Sequence, residues 1–141
     1  MHNLENEMNR KRILIVCLDV ANRQVIENAI GGWMLETIAC LSLNESRVVL
    51  AKQEVDVIFC EDCFEGGTYR DLLDIVRHRT RRVPVVLIVS EMKREALYPE
   101  AIGLGVFDAL ASPCSKKDVQ WMTIQAVESV PATHKSRGLR A

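Results

Sequence analysis

Short apolar runs alternate along the chain with longer amphipathic stretches. Four runs are largely apolar, and they span 13–16, 55–60, 83–90 and 107–111. The first three are rich in β-branched residues, which is typical of strands buried on both faces. A weaker strand candidate spans 34–40. The amphipathic stretches predict helices at 21–30, 42–53, 68–78, 97–104 and 115–130. The pattern therefore predicts five strands and five helices in strict alternation.

Capping signals support these helix boundaries. Ser42 and Glu45 have the spacing of a capping box, as do Thr68 and Asp71. Glycines follow the first helix, and Pro99 suits the first turn of the short fourth helix. In the second helix, Val48, Val49 and Ala51 are expected to face the core, and in the last helix Val119, Met122, Ala126 and Val127.

Alternating strands and helices imply a parallel sheet with helices on both faces, because each right-handed crossover packs a helix on the sheet. We therefore predict an α/β fold, a single doubly wound flavodoxin-like domain with strand order 2-1-3-4-5. The domain should span residues 11–130. Residues 1–10 form a polar N-terminal extension, and residues 131–141 form a polar, basic tail.

Composition narrows the class of protein. The 141 residues are 48% hydrophobic and 26% charged, with a net charge of −1, which is ordinary for a globular domain. The balanced charge disfavours direct nucleic-acid binding. No apolar run approaches the length of a membrane span, and the polar N-terminus is unlike a signal peptide. The five cysteines are an odd number, which indicates free thiols and a cytoplasmic location.

The predicted fold directs attention to the carboxyl ends of the strands, where ligands bind in doubly wound sheets. The residues that leave the strands there are Cys17, Leu18, Asp19, Glu61, Asp62, Cys63, Ser90 and Ser112. The turn after the first strand contains no glycine, so it lacks a phosphate-binding loop. No Ser/His/Asp arrangement is evident, and we expect no enzyme activity.

Four segments resemble the receiver domain of bacterial two-component response regulators, the family of the chemotaxis regulator CheY. They are ILIVCLDVANR at 13–23, DVIFCED at 56–62, PVVLIVSE at 84–91 and LGVFDALASP at 104–113. Their order and spacing carry the resemblance, which covers residues 11–130. The resemblance implies a CheY-like fold and a role in phosphorelay signalling.

The resemblance also assigns roles to positions. In working receivers two acids after the first strand hold Mg²⁺, and here these positions carry Cys17 and Leu18, followed by Asp19. The phosphoryl-accepting aspartate corresponds to Glu61. The switch hydroxyl corresponds to Ser90. The lysine before a proline, whose peptide bond is often cis, corresponds to Ser112 before Pro113.

Most of these positions have lost the expected chemistry. A thiol and an isobutyl group are not ligands for Mg²⁺, and without a cation or lysine a phosphoryl group on Glu61 would lack compensating charge. The sequence therefore predicts a stand-alone pseudo-receiver without cofactor or metal, independent of phosphorylation, in which the Ser90 hydroxyl donates to Glu61. The alternative is a conventional receiver that is phosphorylated on Asp62 or Asp19.

Two further interpretations concern cysteines and surfaces. Cys17, Cys63 and Cys114, with the pair Cys60 and Cys63, leave open a thiol or metal sensor. Trp121 lies off the apolar stripe of the last helix and is a candidate partner surface. The resemblance implies a protein partner, either a sensor kinase or a downstream signalling protein, or a homodimer through the fourth helix, fifth strand and fifth helix.

Overall fold

Five parallel strands form the central sheet of the domain. The computed structural model describes residues 11–33, 35–79 and 82–130. In chain order the elements are β1 (Arg12–Val16), α1 (Val20–Ile30), β2 (Glu36–Cys40), α2 (Leu43–Lys52), β3 (Val57–Glu61), β4 (Cys63–Phe64), β5 (Gly67–Thr68), α3 (Tyr69–Arg77), β6 (Val85–Ser90), α4 (Glu91–Leu104), β7 (Asp108–Ser112) and α5 (Lys116–Ser129). The predicted extension 1–10 and tail 131–141 lie outside the described residues.

The order of strands in the sheet is β2-β1-β3-β6-β7, and every pairing is parallel. Because β4 and β5 form a separate hairpin, this order is the predicted 2-1-3-4-5. The doubly wound flavodoxin-like α/β fold is therefore confirmed. The order places β1 beside β3, so the loops after these two strands meet at one edge of the sheet.

Side chains of the central strands alternate between two hydrophobic cores, one on each face of the sheet. Leu14 and Val16 point into one core, whereas Ile13 and Ile15 point into the other. All four are fully buried, which explains why the strand reads as a continuous apolar run. The predicted stripe of α5 is confirmed: Val119, Met122 and Ala126 are buried and Val127 packs against the second core.

The caps at the starts of the helices match the sequence signals. Ser42 accepts a hydrogen bond from the Glu45 backbone N–H, but the Glu45 carboxylate binds the N–H of Leu41 instead of completing the box. At α3 both halves of the capping box form between Thr68 and Asp71. Helix α1 ends at Ile30 as predicted, and its C-cap residue has right-handed helical dihedrals because the chain continues into a 3₁₀ turn at Gly31–Trp33.

Two predictions about helices are wrong. Helix α4 begins at Glu91 rather than at residue 97, so Pro99 lies inside the helix and not in its first turn. Its only buried residue among those described is Ala101, so the helix carries no apolar stripe that would reveal its start. In α2 the buried positions are Ser46 and Leu50. Of the three predicted core residues, Val49 packs against the first core, whereas Val48 is 47% exposed and Ala51 is exposed.

The hairpin β4–β5, which the sequence pattern does not predict, follows β3 and binds the loop between β2 and α2. The backbone N–H of Leu43 donates to Glu65 O at 2.8 Å, and the N–H of Glu65 donates to Leu41 O at 3.1 Å. Gly66 has a φ of 79°, and a Cβ on Gly67 would lie 2.8 Å from the Leu43 side chain. Both glycines thus allow a tight turn that fixes the residues following Glu61.

No helix within the described part of the chain combines the length and apolar character needed to cross a membrane.

Candidate functional site

A cleft of about 250 Å³ opens at the carboxyl ends of the central strands. Its lining residues are Asp19, Asn22, Glu61, Asp62, Cys63, Ile88, Val89, Ser90, Lys93 and Ser112. Six of the positions singled out from the sequence are therefore brought together, since the parallel strands deliver them to one edge. Cys17 and Leu18 are not part of the lining.

Glu61 is the central acidic group of the cleft. It is the last residue of β3 and is only 8% exposed. Its Oε1 accepts the backbone N–H of Leu18 at 2.6 Å, and the N–H of Asp19 is shared between Oε1 and Oε2 at 3.4 and 3.3 Å. These N–H groups lie at the start of α1, where the helix dipole favours a negative charge.

Asn22 connects Glu61 to the far side of the cleft. Its Nδ2 donates to Glu61 Oε2 at 2.8 Å, and its Oδ1 accepts from Ser112 Oγ at 2.8 Å. An ionised carboxylate only accepts hydrogen bonds, so the amide must direct its NH₂ group toward Glu61. The side chain is 9% exposed. Glu61, Asn22 and Ser112 form one directed chain of hydrogen bonds, which we call the amide relay. The Ser112–Pro113 peptide bond is cis, as the resemblance implies.

Asp19 serves as the N-cap of α1. Its Oδ1 accepts the backbone N–H groups of Ala21 at 2.8 Å and of Asn22 at 3.3 Å. The capped first turn is what presents Asn22 to the cleft. One oxygen of this carboxylate is thereby engaged in holding the helix, which is an ordinary role for aspartate at this position.

Asp62 and Lys93 form an ion pair at the mouth of the cleft. Lys93 Nζ lies 3.1 Å from Asp62 Oδ2, and the lysine side chain is 58% exposed. The hydrogen bond and charge of Asp62 raise the pKa of Lys93. Because both groups face solvent in part, we expect the pair to contribute little to stability. It does, however, place a cation beside the alternative acceptor position.

The predicted hydrogen bond from Ser90 to Glu61 is wrong. Ser90 is the N-cap of α4, and its Oγ accepts the backbone N–H of Lys93 at 3.3 Å. The sequence pattern placed the start of this helix at residue 97 and therefore missed the capping role. The hydroxyl still lines the cleft, but the partner of Glu61 on the inner side is Asn22.

The cysteines do not gather at one place. Cys17 and Cys60 are fully buried, and they lie in the two different cores. Burial raises the pKa of both thiols, and the nearby charge of Glu61 raises them further. Cys114 is partly buried, which raises its pKa to about 11. Only Cys63 is exposed, at the cleft.

The residues present do not fit a divalent cation of the kind that working receivers hold. The position of the first acid is occupied by Cys17, which is buried in the core, and Leu18 offers only its backbone to the site. The three nearby carboxylates are engaged: Asp19 caps α1, Glu61 accepts N–H groups and Asp62 pairs with Lys93. Among the described residues, no cluster of three or more His, Cys, Asp or Glu side chains could hold a metal ion.

Two contributors to the site, Asn22 and Lys93, were missed by sequence reasoning. Asn22 lies in the segment 13–23 that resembles receiver domains, but the resemblance assigns it no role. Lys93 lies three residues after Ser90, which is the spacing of an N-cap and its first turn; recognising that cap would have placed Lys93 at the cleft. An amide that bridges two elements leaves no periodic signal in a sequence.

Trp121 lies on the outer face of α5 and is 60% exposed. Its neighbour Met122 is buried on the core-facing side of the same helix. The expectation that this tryptophan lies off the core stripe is therefore confirmed, and its role in binding a partner stays a prediction.

Comparison with known proteins gives one curated relative. The chain is 26% identical over 106 residues to the response regulator protein PilR of Pseudomonas aeruginosa. The aligned region covers 75% of this chain but 24% of the relative, so the chain spans about a quarter of that protein. No protein-family model matches the sequence.

Solved structures agree in fold over most of both chains. The chemotaxis response regulator CheY4 of Vibrio cholerae has a TM-score of 0.71 and 19% identity, covering 83% of this chain and 98% of its own. The receiver domain of a sensor histidine kinase from Pseudomonas aeruginosa PAO1, solved with magnesium in its active site cleft, has a TM-score of 0.73 and 18% identity, covering 84% and 98%. With the observed strand order, these matches identify the fold of the chain as that of the response-regulator receiver domains, of the CheY type.

Proposed function

We propose that the chain is a receiver domain of two-component signal transduction that works without phosphorylation and acts by binding another protein. The observation that carries this proposal is the bonding of Glu61. The carboxylate at the acceptor position already accepts hydrogen bonds on both oxygens, from Leu18, Asp19 and Asn22. An attacking oxygen must be free to reach a phosphoryl donor, and here both oxygens are held.

The surroundings of Glu61 support the same conclusion. Transfer of a phosphoryl group depends on positive charge that stabilises the transferring oxygens. The lysine position carries Ser112, whose hydroxyl donates to Asn22, and the acid positions supply no metal ligands. The domain thus retains the receiver fold but lacks the groups that would support catalysed phosphorylation, so we do not expect it to be an enzyme.

Incubation with acetyl phosphate and Mg²⁺, followed by intact-mass spectrometry, tests this function. We expect no gain of a phosphoryl group by the wild type. We expect none by Glu61→Asp either, because the shorter side chain restores the usual acceptor but not the cation or the lysine. A stable phosphoryl group on wild-type Glu61 would overturn the proposal.

One observation favours a second function, a receiver phosphorylated on Asp62. Asp62 lines the cleft and has a lysine ammonium at 3.1 Å, so it combines an acceptor with a cation. The same mass measurement on Asp62→Asn distinguishes the two functions. Uptake by the wild type that Asp62→Asn abolishes would establish this alternative.

The protein-binding part of the proposal concerns the outer face of α5. Its exposed Trp121 is a large apolar side chain of the kind that interfaces use as an anchor. We assign this face to a protein partner, either a sensor kinase, a downstream signalling protein or a second copy of the chain. The constitutive state of the cleft means that the surface is presented without an incoming signal at Glu61.

A further inference from the structure

The amide relay connects Glu61, at the acceptor position, with Ser112, at the lysine position of a working receiver. Building on the phosphorylation-independent function proposed above, we propose that Asn22 is the positioning residue that takes the place of both cation and lysine. It holds the Glu61 carboxylate with a neutral donor and connects the ends of β3 and β7 to the first turn of α1.

The geometry gives the relay a single direction. Ser112 donates to the Asn22 oxygen, and the Asn22 nitrogen donates to Glu61, each at 2.8 Å. Hydrogen bonds linked in this way polarise one another, and the chain ends on a group that only accepts. The negative charge of Glu61 is therefore stabilised without a positive ion.

The relay also spans the sheet. Glu61 ends β3 and Ser112 ends β7, while β6 lies between these strands. Asn22 reaches both ends from the first turn of α1, which the Asp19 cap fixes. One buried side chain thus connects the acceptor position with the strand that precedes α5, the helix that carries Trp121.

The assignment has a chemical consequence that a merely structural asparagine would not have. If the amide stands where a cation would stand, then Asn22→Asp places a second carboxylate against Glu61. The two like charges repel, and a divalent cation, which prefers hard oxygen ligands, should relieve the repulsion. The substitution should therefore create a response to Mg²⁺ that the wild type lacks.

This assignment is tested by thermal unfolding of the full chain with and without MgCl₂. The MgCl₂ concentration is about 10 mM, which is on the order of that used to saturate weak sites. We expect Asn22→Asp to lower the melting temperature by on the order of 10 °C and Mg²⁺ to restore a large part of it. NaCl of equal ionic strength should not do so. Asn28→Asp, an exposed asparagine on the same helix, is the matched control and should respond to neither change.

Two outcomes overturn the assignment: a melting temperature of Asn22→Asp equal to that of Asn28→Asp, or a lowered value that Mg²⁺ leaves unchanged. Should Asn22→Asp not fold, the melting temperatures of Asn22→Ala, of Ser112→Ala and of the double variant test whether the relay exists. In an intact relay the double variant should be little worse than Asn22→Ala alone, whereas additive losses would contradict the relay. None of these results depends on phosphoryl uptake by the wild type, so failure of the relay and failure of the proposed function are distinguishable.

Discussion

At the scale of single residues, Glu61 differs from an aspartate by one methylene group, and that methylene decides its contacts. The longer side chain reaches the backbone N–H of Leu18 at 2.6 Å and the amide of Asn22 at 2.8 Å. A buried carboxylate is costly unless donors satisfy it, and here donors come from the helix start and from a side chain. Both oxygens of Glu61 therefore accept hydrogen bonds from neighbouring groups of the fold.

Replacing Glu61 by glutamine tests how much these contacts stabilise the fold. Glutamine keeps the shape but removes the charge and one acceptor oxygen. Its NH₂ group therefore faces either the N–H groups of Leu18 and Asp19 or an Asn22 amide that has to reverse its orientation. We expect Glu61→Gln to lower the free energy of unfolding by about 1–3 kcal/mol, as for other unsatisfied buried groups. Urea denaturation measures the loss.

The matched control is Glu95→Gln, because Glu95 is exposed on α4. Its stability should stay within about 0.5 kcal/mol of the wild type, as for most surface substitutions. Equal stability of Glu61→Gln and Glu95→Gln would show that the bonds to Glu61 contribute nothing to folding.

At the scale of elements, two consecutive residues of α5 differ sharply in burial. Met122 is 6% exposed and belongs to the second core, whereas Trp121 is 60% exposed. We expect Met122→Ala to lower the free energy of unfolding by about 2–4 kcal/mol through lost packing. Trp121→Ala should lower it by less than about 1 kcal/mol.

For self-association we expect Trp121→Ala to have a larger effect than Met122→Ala. If the outer face of α5 binds a second copy, sedimentation velocity at increasing concentration will show a dimer for the wild type and a weaker one for Trp121→Ala. A wild type that stays monomeric at every concentration, or a dimer that Trp121→Ala leaves unchanged, would remove the homodimer from the proposal and leave the other protein partners.

The elements also show what a sequence pattern can and cannot predict. Strands buried on both faces and helices with a clear apolar stripe were predicted, because their periodicity is a direct consequence of burial. Helix α4 was placed six residues late because almost none of it faces the core. In α2 the buried Ser46 bonds the Ser42 carbonyl at 2.9 Å, so a polar residue stands at a core position and shifts the apparent stripe.

In the site, too, some features could be predicted from the sequence and others could not. The fold places the carboxyl ends of the strands together, and this rule predicts from sequence that Glu61, Asp62, Ser90 and Ser112 lie in the cleft, as observed. The hydrogen-bond partners of these residues could not be predicted from the sequence, because they are far apart along the chain. Asn22 is 39 residues from Glu61 and 90 from Ser112, and Lys93 is 31 residues from Asp62. Such pairings depend on the direction of single side chains, which no local pattern records.

At the scale of the whole molecule, buried thiols on both faces of the sheet can be used to measure whether the domain unfolds in one step. Cys60 lies in the core on one face and Cys17 in the core on the other. A single domain of this size usually unfolds in one cooperative step. We therefore expect a thiol reagent to label Cys63 at once in the folded protein, and Cys17 and Cys60 together at one urea midpoint. Separate midpoints would mean that the two faces unfold independently.

The same thiols give stability a dependence on pH with a definite sign. Burial raises the pKa of Cys17 and Cys60, and raises that of Cys114 to about 11, whereas thiols in an unfolded chain ionise at about pH 8.5. Above that pH the unfolded state binds fewer protons than the folded state, so the free energy of unfolding falls as pH rises toward 11. Between pH 6 and about 7 these thiols contribute almost no slope, because they are protonated in both states. Urea denaturation at pH values about one unit apart from pH 6 to pH 10 measures this effect. The free energy of unfolding should first stay constant and then decline with rising pH, and the decline should be shallower in Cys114→Ser. An equally steep decline in that variant would assign the alkaline loss of stability to other groups.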